Sequence, residues 1–147
     1  MSKVILLVED NPTDEKLTLV AFKKCGIAND IAVARDGAQA LDYLLGDPAG
    51  SEPPALPTIV LLDLRLPKID GLEVLRRLRE EERTKLLPVI ILTSSKEDED
   101  VAQGYALGCN AYVRKPVDFG EFAQAARALG LFWLLWNESP PQARSSP

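Results

Sequence analysis

The stretch Ile59-Val60-Leu61-Leu62-Asp63-Leu64-Arg65-Leu66-Pro67 limits what this chain can fold into more than any other. An apolar, β-branched run passes without a polar break into a carboxylate, and a proline turn follows. A segment apolar at every position suits a strand covered on both faces, as strands are in a parallel sheet. Open parallel sheets hold their ligands beyond the carboxyl ends of the strands. Asp63 stands at such an end. Alone it is only a residue on the approach to the next helix, so its meaning depends on what other strands deliver beside it.

The same arrangement recurs along the chain. Val4-Ile5-Leu6-Leu7-Val8 reads as a buried strand ending on Glu9-Asp10. Asn11-Pro12 follows as a helix cap and a first-turn proline, and Leu17, Val20 and Ala21 keep helical spacing until Cys25-Gly26 closes the helix. Ile31 to Ala34 is a short second strand. Asp36-Gly37 fits a hairpin turn, but Ala40, Leu41 and Leu44 follow at helical spacing and favour Asp36 as a cap, with Gly46 as the stop. Asp-Pro, Gly-Ser and Pro-Pro pairs mark 47–57 as a surface loop. After the third strand, Asp70-Gly71 opens a helix lined by Leu72, Leu75 and Leu78. Pro88 to Thr93 is a fourth buried strand. Val101, Ala102 and Tyr105 carry a helix ending near Gly108, and Ala111 to Val113 is a short fifth strand that leads to Lys115-Pro116. Asp118 caps an extended last helix from Phe119 to about Trp136. Five βα units imply an α/β fold, a five-stranded parallel sheet with helices on both faces and right-handed crossovers.

The 147 residues suit one domain, and an apolar fraction of 46% supports a core. A net charge of −5 without a basic cluster argues against nucleic acid as the main partner. Arg76, Arg77 and Arg79 are interleaved with Glu73, Glu80, Glu81 and Glu82, which reads as a solvated helix face. No apolar run is long enough to span a bilayer, and Val4 to Val8 ends on carboxylates rather than a cleavage site, so a cytoplasmic location is expected. Cys25 and Cys109 lack metal-ligand spacing and read as reduced core thiols. The chain has no histidine, which removes histidine bases, histidine ligands and phosphohistidine from consideration.

Four of the five strands end on groups that can do chemistry: Glu9-Asp10, Asp63, Thr93 and Lys115. In a parallel sheet these ends share one edge. Clustered carboxylates repel one another unless a proton or a cation intervenes. Oxygen-only donors favour Mg²⁺, which keeps positions open for phosphate oxygens. A carboxylate can act as a nucleophile and become an aspartyl phosphate, while a hydroxyl and an ammonium hold the transferred group.

The ordered set Glu9-Asp10, Asp63, Thr93-Ser94 and Lys115-Pro116 resembles a response-regulator receiver domain over roughly Lys3 to Leu129. The resemblance implies a doubly wound, flavodoxin-like sheet of strand order 2-1-3-4-5. It implies that Asp63 is the phosphoacceptor, that Asp10 and Asp63 ligate Mg²⁺ directly, that Glu9 does so through a water, and that the backbone carbonyl of Arg65 completes the protein ligands. Thr93 and Lys115 would contact the phosphoryl group, Thr93 and Tyr112 would form the switch, and the bond before Pro116 would be cis. Arg65 departs from the pattern. A long cation beside the site is expected to pair with Glu9 or the phosphoryl group and to alter self-dephosphorylation.

The expected protein is a single-domain response regulator, with the receiver domain at 1–136 and a Pro/Ser-rich tail at 137–147 whose composition suits disorder. A partner histidine kinase must supply the phosphoryl group, because no Gly-x-x-x-x-Gly-Lys loop offers access to ATP. The chain is then no enzyme beyond self-catalysed transfer and dephosphorylation, and without an output domain its message passes through protein contacts. One alternative is a phosphorylation-independent binding module or phosphate sink. Another is an Asp-nucleophile phosphatase, whose second Asp acts as the acid; here Arg65 holds that position and cannot donate a proton at neutral pH.

Along the last helix, Phe119, Phe122, Ala126, Leu129 and Trp133 form a stripe that one sheet face can bury. Leu131, Phe132, Leu134, Leu135 and Trp136 make the final turns apolar all round, which one domain edge cannot cover. A second copy about a twofold axis is the expected cover, with Phe132, Trp133, Leu135 and Trp136 in the interface. The homodimer face would comprise the fourth helix, fifth strand and fifth helix. A membrane is not expected there, because flanking basic residues are missing. The Phe-Trp ending also resembles single-domain regulators that partner bacterial phytochrome kinases.

Overall fold

The computed structural model describes residues 4–24, 30–47, 49–50, 52–94 and 97–115, with 124, 127 and 128 beyond them. Its elements follow in strict alternation: β1 Val4–Val8, α1 Pro12–Lys24, β2 Asp30–Ala34, α2 Gly37–Leu45, β3 Ile59–Leu62, α3 Gly71–Glu80, β4 Val89–Thr93, α4 Asp98–Ala106 and β5 Ala111–Arg114. The strands form one sheet in the order β2-β1-β3-β4-β5. Every neighbouring pair is parallel, as the resemblance implied.

Side chains alternate across a strand, so each buried run feeds two cores. Leu6, Val8, Val60, Leu62 and Ile91 meet Ala40, Leu41 and Leu44 of α2 and Val74, Leu75 and Leu78 of α3. Ile5, Leu7, Ile59, Leu61, Ile90 and Leu92 point the other way and meet Ala21 and Phe22 of α1. Burying one such side chain contributes roughly 1.5–3 kcal/mol. These two layers explain why β1, β3 and β4 tolerate no polar position before their last residues.

Short polar side chains start the helices. Asn11 Oδ1 accepts the N–H groups of Thr13 at 2.9 Å and Asp14 at 3.1 Å. Asp70 Oδ1 accepts the Leu72 N–H at 3.2 Å. Asp36 is a cap and not a hairpin residue: its Oδ1 accepts the Gln39 N–H at 2.7 Å. That bond, with the Lys68 ammonium 3.4 Å away, holds the Asp36 carboxyl below its ordinary value. A depressed folded value means that the stabilisation is full at neutral pH and is lost as pH falls through it. Asp36→Ala should cost about 1 kcal/mol in urea denaturation at pH 7, and the difference from the parent should shrink in acid.

The structure supplies one helix start and corrects one expectation. The helix carried by Val101, Ala102 and Tyr105, for which apolar spacing marks no start, begins at Asp98, and its last residue is Ala106, two before Gly108. Arg79 does not belong to a solvated face. Its guanidinium donates to Gly108 O at 2.9 Å, Thr84 O at 3.0 Å, Leu87 O at 2.8 Å and Asn110 Oδ1 at 3.1 Å, tying the end of α3 to the turn after α4. Arg76 and Arg77 do stay on the outer face with Glu73. Among the described residues no helix is long and apolar enough to cross a membrane. Gln124, Arg127 and Ala128 are helical. Cys25, Pro116, the interface residues Phe132, Trp133, Leu135 and Trp136, and the tail lie outside the described residues.

Candidate functional site

The sheet register assembles the strand ends. The Glu9 N–H donates to Ala34 O at 2.9 Å, the Asp63 N–H to Val8 O at 3.1 Å, and the Lys115 N–H to Thr93 O at 2.8 Å. Each chemical side chain therefore leaves its strand at the same edge, one step past the last core residue for Glu9, Asp63 and Thr93 and two steps past Val113 for Lys115. The site lies where β1 and β3 adjoin while their chain connections run to opposite sides, the place where open α/β sheets bind ligands.

Lys115 is the hub. Its ammonium donates to Glu9 Oε1, to Asp63 Oδ2 at 2.9 Å and to Asp14 Oδ2 at 2.9 Å. The Lys115 side chain is only 6% exposed, beside 2% for Glu9 and 10% for Asp63. The other Asp63 oxygen, Oδ1, accepts the Thr93 hydroxyl at 2.9 Å and the Arg65 N–H at 3.2 Å. Burial raises the carboxyls of both Glu9 and Asp63, and Lys115 lowers both. For Glu9 burial wins, and its carboxyl is pushed up to about 7. For Asp63 the hydrogen bonds and charge of Lys115, aided by Thr93, win and hold the carboxyl below its ordinary value. Burial would lower Lys115, but Asp14, Glu9 and Asp63 keep its ammonium protonated well above the usual range. Of the buried pair, Asp63 is therefore the carboxyl that keeps its negative charge more strongly.

Glu9, Asp10 and Asp63 each offer one carboxylate oxygen, and these oxygens lie within 4.8 Å of one another. Hard oxygen donors in a small space suit a divalent cation of the Mg²⁺ type. Asp10 is exposed, which leaves that side of the cluster open.

The structure brings together Glu9, Asp10, Asp63, Thr93 and Lys115, all read from the sequence. Tyr112 is half-buried on β5 and packs against the core below α4. Arg65 needs revision: its guanidinium pairs with Asp100 of α4 at 3.1 Å, while Glu9 is taken by Lys115. Asp14 went unread. Its signal was there, an aspartate in the first turn of the helix that follows the first site strand, where the chain doubles back over the sheet edge.

Comparison with known proteins agrees with this geometry. The family described as response regulator receiver domain matches residues 5–127. A relative from Methanothrix harundinacea, described as "Probable methanogenesis regulatory protein FilR2", is 42% identical over 140 residues, 95% of this chain and 89% of its own. Among solved structures, the bacteriophytochrome response regulator RtBRR is 51% identical with a TM-score of 0.73, covering 96% of this chain and 86% of that one. The phosphorylated cyanobacterial phytochrome response regulator RcpA has a TM-score of 0.86 at 33% identity, covering 96% and 100%. The Mn²⁺-bound form of the response regulator Rcp1 has a TM-score of 0.86 at 34% identity, covering 95% and 99%. With all of the strand ends that form the site inside the matched span, the chain belongs to the response regulator receiver domain family.

Proposed function

We propose that this receiver domain accepts a phosphoryl group on Asp63 from a partner histidine kinase and signals by changing a protein-binding face. The observation that carries the reading is the Asp63 carboxylate, ionised at the β1/β3 edge with Lys115 on one oxygen and Thr93 on the other. One Asp63 oxygen attacks phosphorus, and the bond from phosphorus to the donor group breaks, that group leaving with the electron pair. The product is an acyl phosphate. Asp10, Asp63, the Arg65 carbonyl and, through water, Glu9 would hold Mg²⁺. When bound, the ion neutralises charge on the phosphoryl oxygens. Lys115 adds a fixed cation to the same task, at no cost of reorganisation. A solved relative that carries a phosphoryl group and another that carries Mn²⁺ support both parts.

The phosphoryl group competes with the Asp63 oxygen for the Thr93 hydroxyl. Thr93 ends β4 opposite Arg114 of β5, and Tyr112 lies two residues earlier on β5, opposite Ile91 and beside Gly104 of α4. A shift of Thr93 therefore biases the surface made by α4 and β5, a change of population between two states driven by local charge. The chain turns over no substrate of its own and works as a cytoplasmic messenger. Two of the compared regulators bear phytochrome names, which favours a light-sensing kinase as the donor. The apolar ending around Phe132, Trp133, Leu135 and Trp136 favours a homodimer as the signalling form.

Incubation with acetyl phosphate and Mg²⁺, followed by intact mass, tests the reading. One alkali-labile phosphoryl group is expected on the parent and none on Asp63→Asn. A parent protein that stays folded and unmodified would replace this reading with that of a phosphorylation-independent binding module.

A further inference from the structure

We infer that Asp14 is a positioning residue for phosphoryl acceptance, acting by fixing the Lys115 ammonium beside Asp63. The inference rests on the proposed function and concerns the same site. An ammonium has three N–H donors and no acceptor. Here the three are spent on three carboxylates, from Glu9, Asp63 and Asp14. Glu9 comes from the end of β1, Asp63 from the end of β3, and Asp14 from the first turn of α1. The ammonium is therefore held from three directions by three separate elements.

The division of labour follows from what each carboxylate must do during transfer. Asp63 becomes an acyl phosphate and loses its negative charge, so the N–H now on its Oδ2 is released to a phosphoryl oxygen a short distance away. Glu9 belongs to the acidic cluster that suits a cation, so its hold on Lys115 weakens when a cation competes for it. Asp14 lies outside that cluster. It is the one partner of Lys115 whose bond can persist through binding and transfer unchanged. Its side chain is 33% exposed against 6% for Lys115, so it stands at the rim and draws the ammonium toward the open side, where a phosphoryl group must arrive. Without it, the four-carbon stem lets Lys115 settle on Glu9 and Asp63 alone, and the N–H meant for phosphate is left unaimed.

The position of Asp14 is itself set by the cap at Asn11, whose side chain accepts the Asp14 N–H at 3.1 Å. The hydroxyl of Thr18 donates to the Asp14 carbonyl at 2.8 Å. The carboxylate thus projects from a turn anchored on both sides, which is what a rigid support for another group needs.

The test separates aim from charge. Mg²⁺ affinity is measured by calorimetry, and the phosphorylation rate by intact mass, with acetyl phosphate at saturating Mg²⁺, for the parent, Asp14→Ala and Asp14→Asn. Asp14→Ala should take up phosphate about tenfold more slowly, the low end for groups that orient a functional side chain. Asp14→Asn, which keeps an acceptor oxygen and loses the charge, should recover most of that rate. Circular dichroism melting confirms that the variants fold, and Asp14→Ser, whose side chain is too short to reach Lys115 but suits the first turn of a helix, is expected to be slowed like Asp14→Ala and replaces it if that variant does not fold. Equal rates for parent and Asp14→Ala overturn the inference. So does a weaker Mg²⁺ affinity with no loss of rate at saturating Mg²⁺, because the role of Asp14 is then only to add negative charge near the cation. A parent protein that takes up no phosphate at all sinks the proposed function instead, a result distinct from either.

Discussion

Lys115→Ala should leave a folded protein that takes up phosphate from acetyl phosphate at least about 100-fold more slowly, the loss typical when a preorganised group that stabilises developing charge is removed. Two effects combine. The transferred group loses its fixed cation, and Asp63 loses the partner that holds its carboxyl low, so less of the nucleophile is ionised. Deleting one member of a buried ion pair commonly costs about 3–5 kcal/mol. Here the loss should be smaller, because Glu9 is already poised to take a proton, with its carboxyl at about 7. A protonated Glu9 stops repelling Asp63 and can donate a hydrogen bond to it.

The pH dependence has a definite sign. Burial raises the Glu9 carboxyl from 4.5 to about 7, so between those values the folded state binds more protons than the unfolded state. Stability drawn from this group therefore falls as pH rises through that window. In Lys115→Ala the opposing cation is gone and the upper end of the window moves higher. Urea midpoints of the metal-free variant should drop from pH 6 to pH 8 by more than those of the parent. Equal drops would mean that Lys115 does not govern the Glu9 carboxyl, and an unchanged phosphorylation rate would remove Lys115 from the transfer.

What could be read along the chain was whatever local pattern dictates. A buried parallel strand must be apolar to its last residue, so the first polar residue after each run marks the sheet edge, and Glu9, Asp63, Thr93 and Lys115 are those residues or lie next to them. Caps are legible for the same reason, since Asn11, Asp36 and Asp70 act within three residues of themselves. Contacts across the fold were not. Asp14 meets Lys115 across 101 positions, and Arg65 meets Asp100 across 35. A first-turn aspartate after a site strand is legible as a candidate, but nothing in the spacing of either pair says which partner it meets. Arg79 shows the reverse error: it shares a helix turn with Arg76 and Arg77, yet about 60° of rotation about the α3 axis separates it from Arg76, and that turns a solvated ion pair into a cation that binds four carbonyl oxygens. Helical periodicity places a residue on a face only roughly, and long side chains at the border of that face can be drawn either way.

Gly71→Ala should destabilise the protein and disturb the site, although it adds only one methyl group. Gly71 opens α3, and helix propensity alone predicts that alanine would be better there by about 1 kcal/mol. The contacts reverse that sign. A Cβ on Gly71 would lie 2.3 Å from the Asp63 carbonyl oxygen and 2.7 Å from Leu64 Cα. Both are backbone atoms, and neither can swing aside, because the Asp63 N–H is bonded to Val8 O at 3.1 Å and the Gly71 N–H to Leu64 O at 3.0 Å. Relief requires moving the end of β3 away from the start of α3, which carries the Asp63 carboxylate out of reach of Thr93 and Lys115. Overpacking of this kind costs about 1–3 kcal/mol, and rigid backbone on the opposing side puts Gly71→Ala at the upper end. Gly104→Ala is the control. Its Cβ would approach Ile91 Cδ1 at 2.8 Å and Tyr112 Cδ2 at 3.4 Å, the far ends of side chains that can rotate. The loss there should stay within about 1 kcal/mol, since the helix-propensity gain offsets the crowding. Urea denaturation of the two variants should therefore separate by about 2 kcal/mol or more, and only Gly71→Ala should also slow phosphorylation at saturating Mg²⁺. Matching midpoints for the two would show that the loop after β3 yields freely, and that Asp63 is held by its side-chain partners rather than by the close approach of α3.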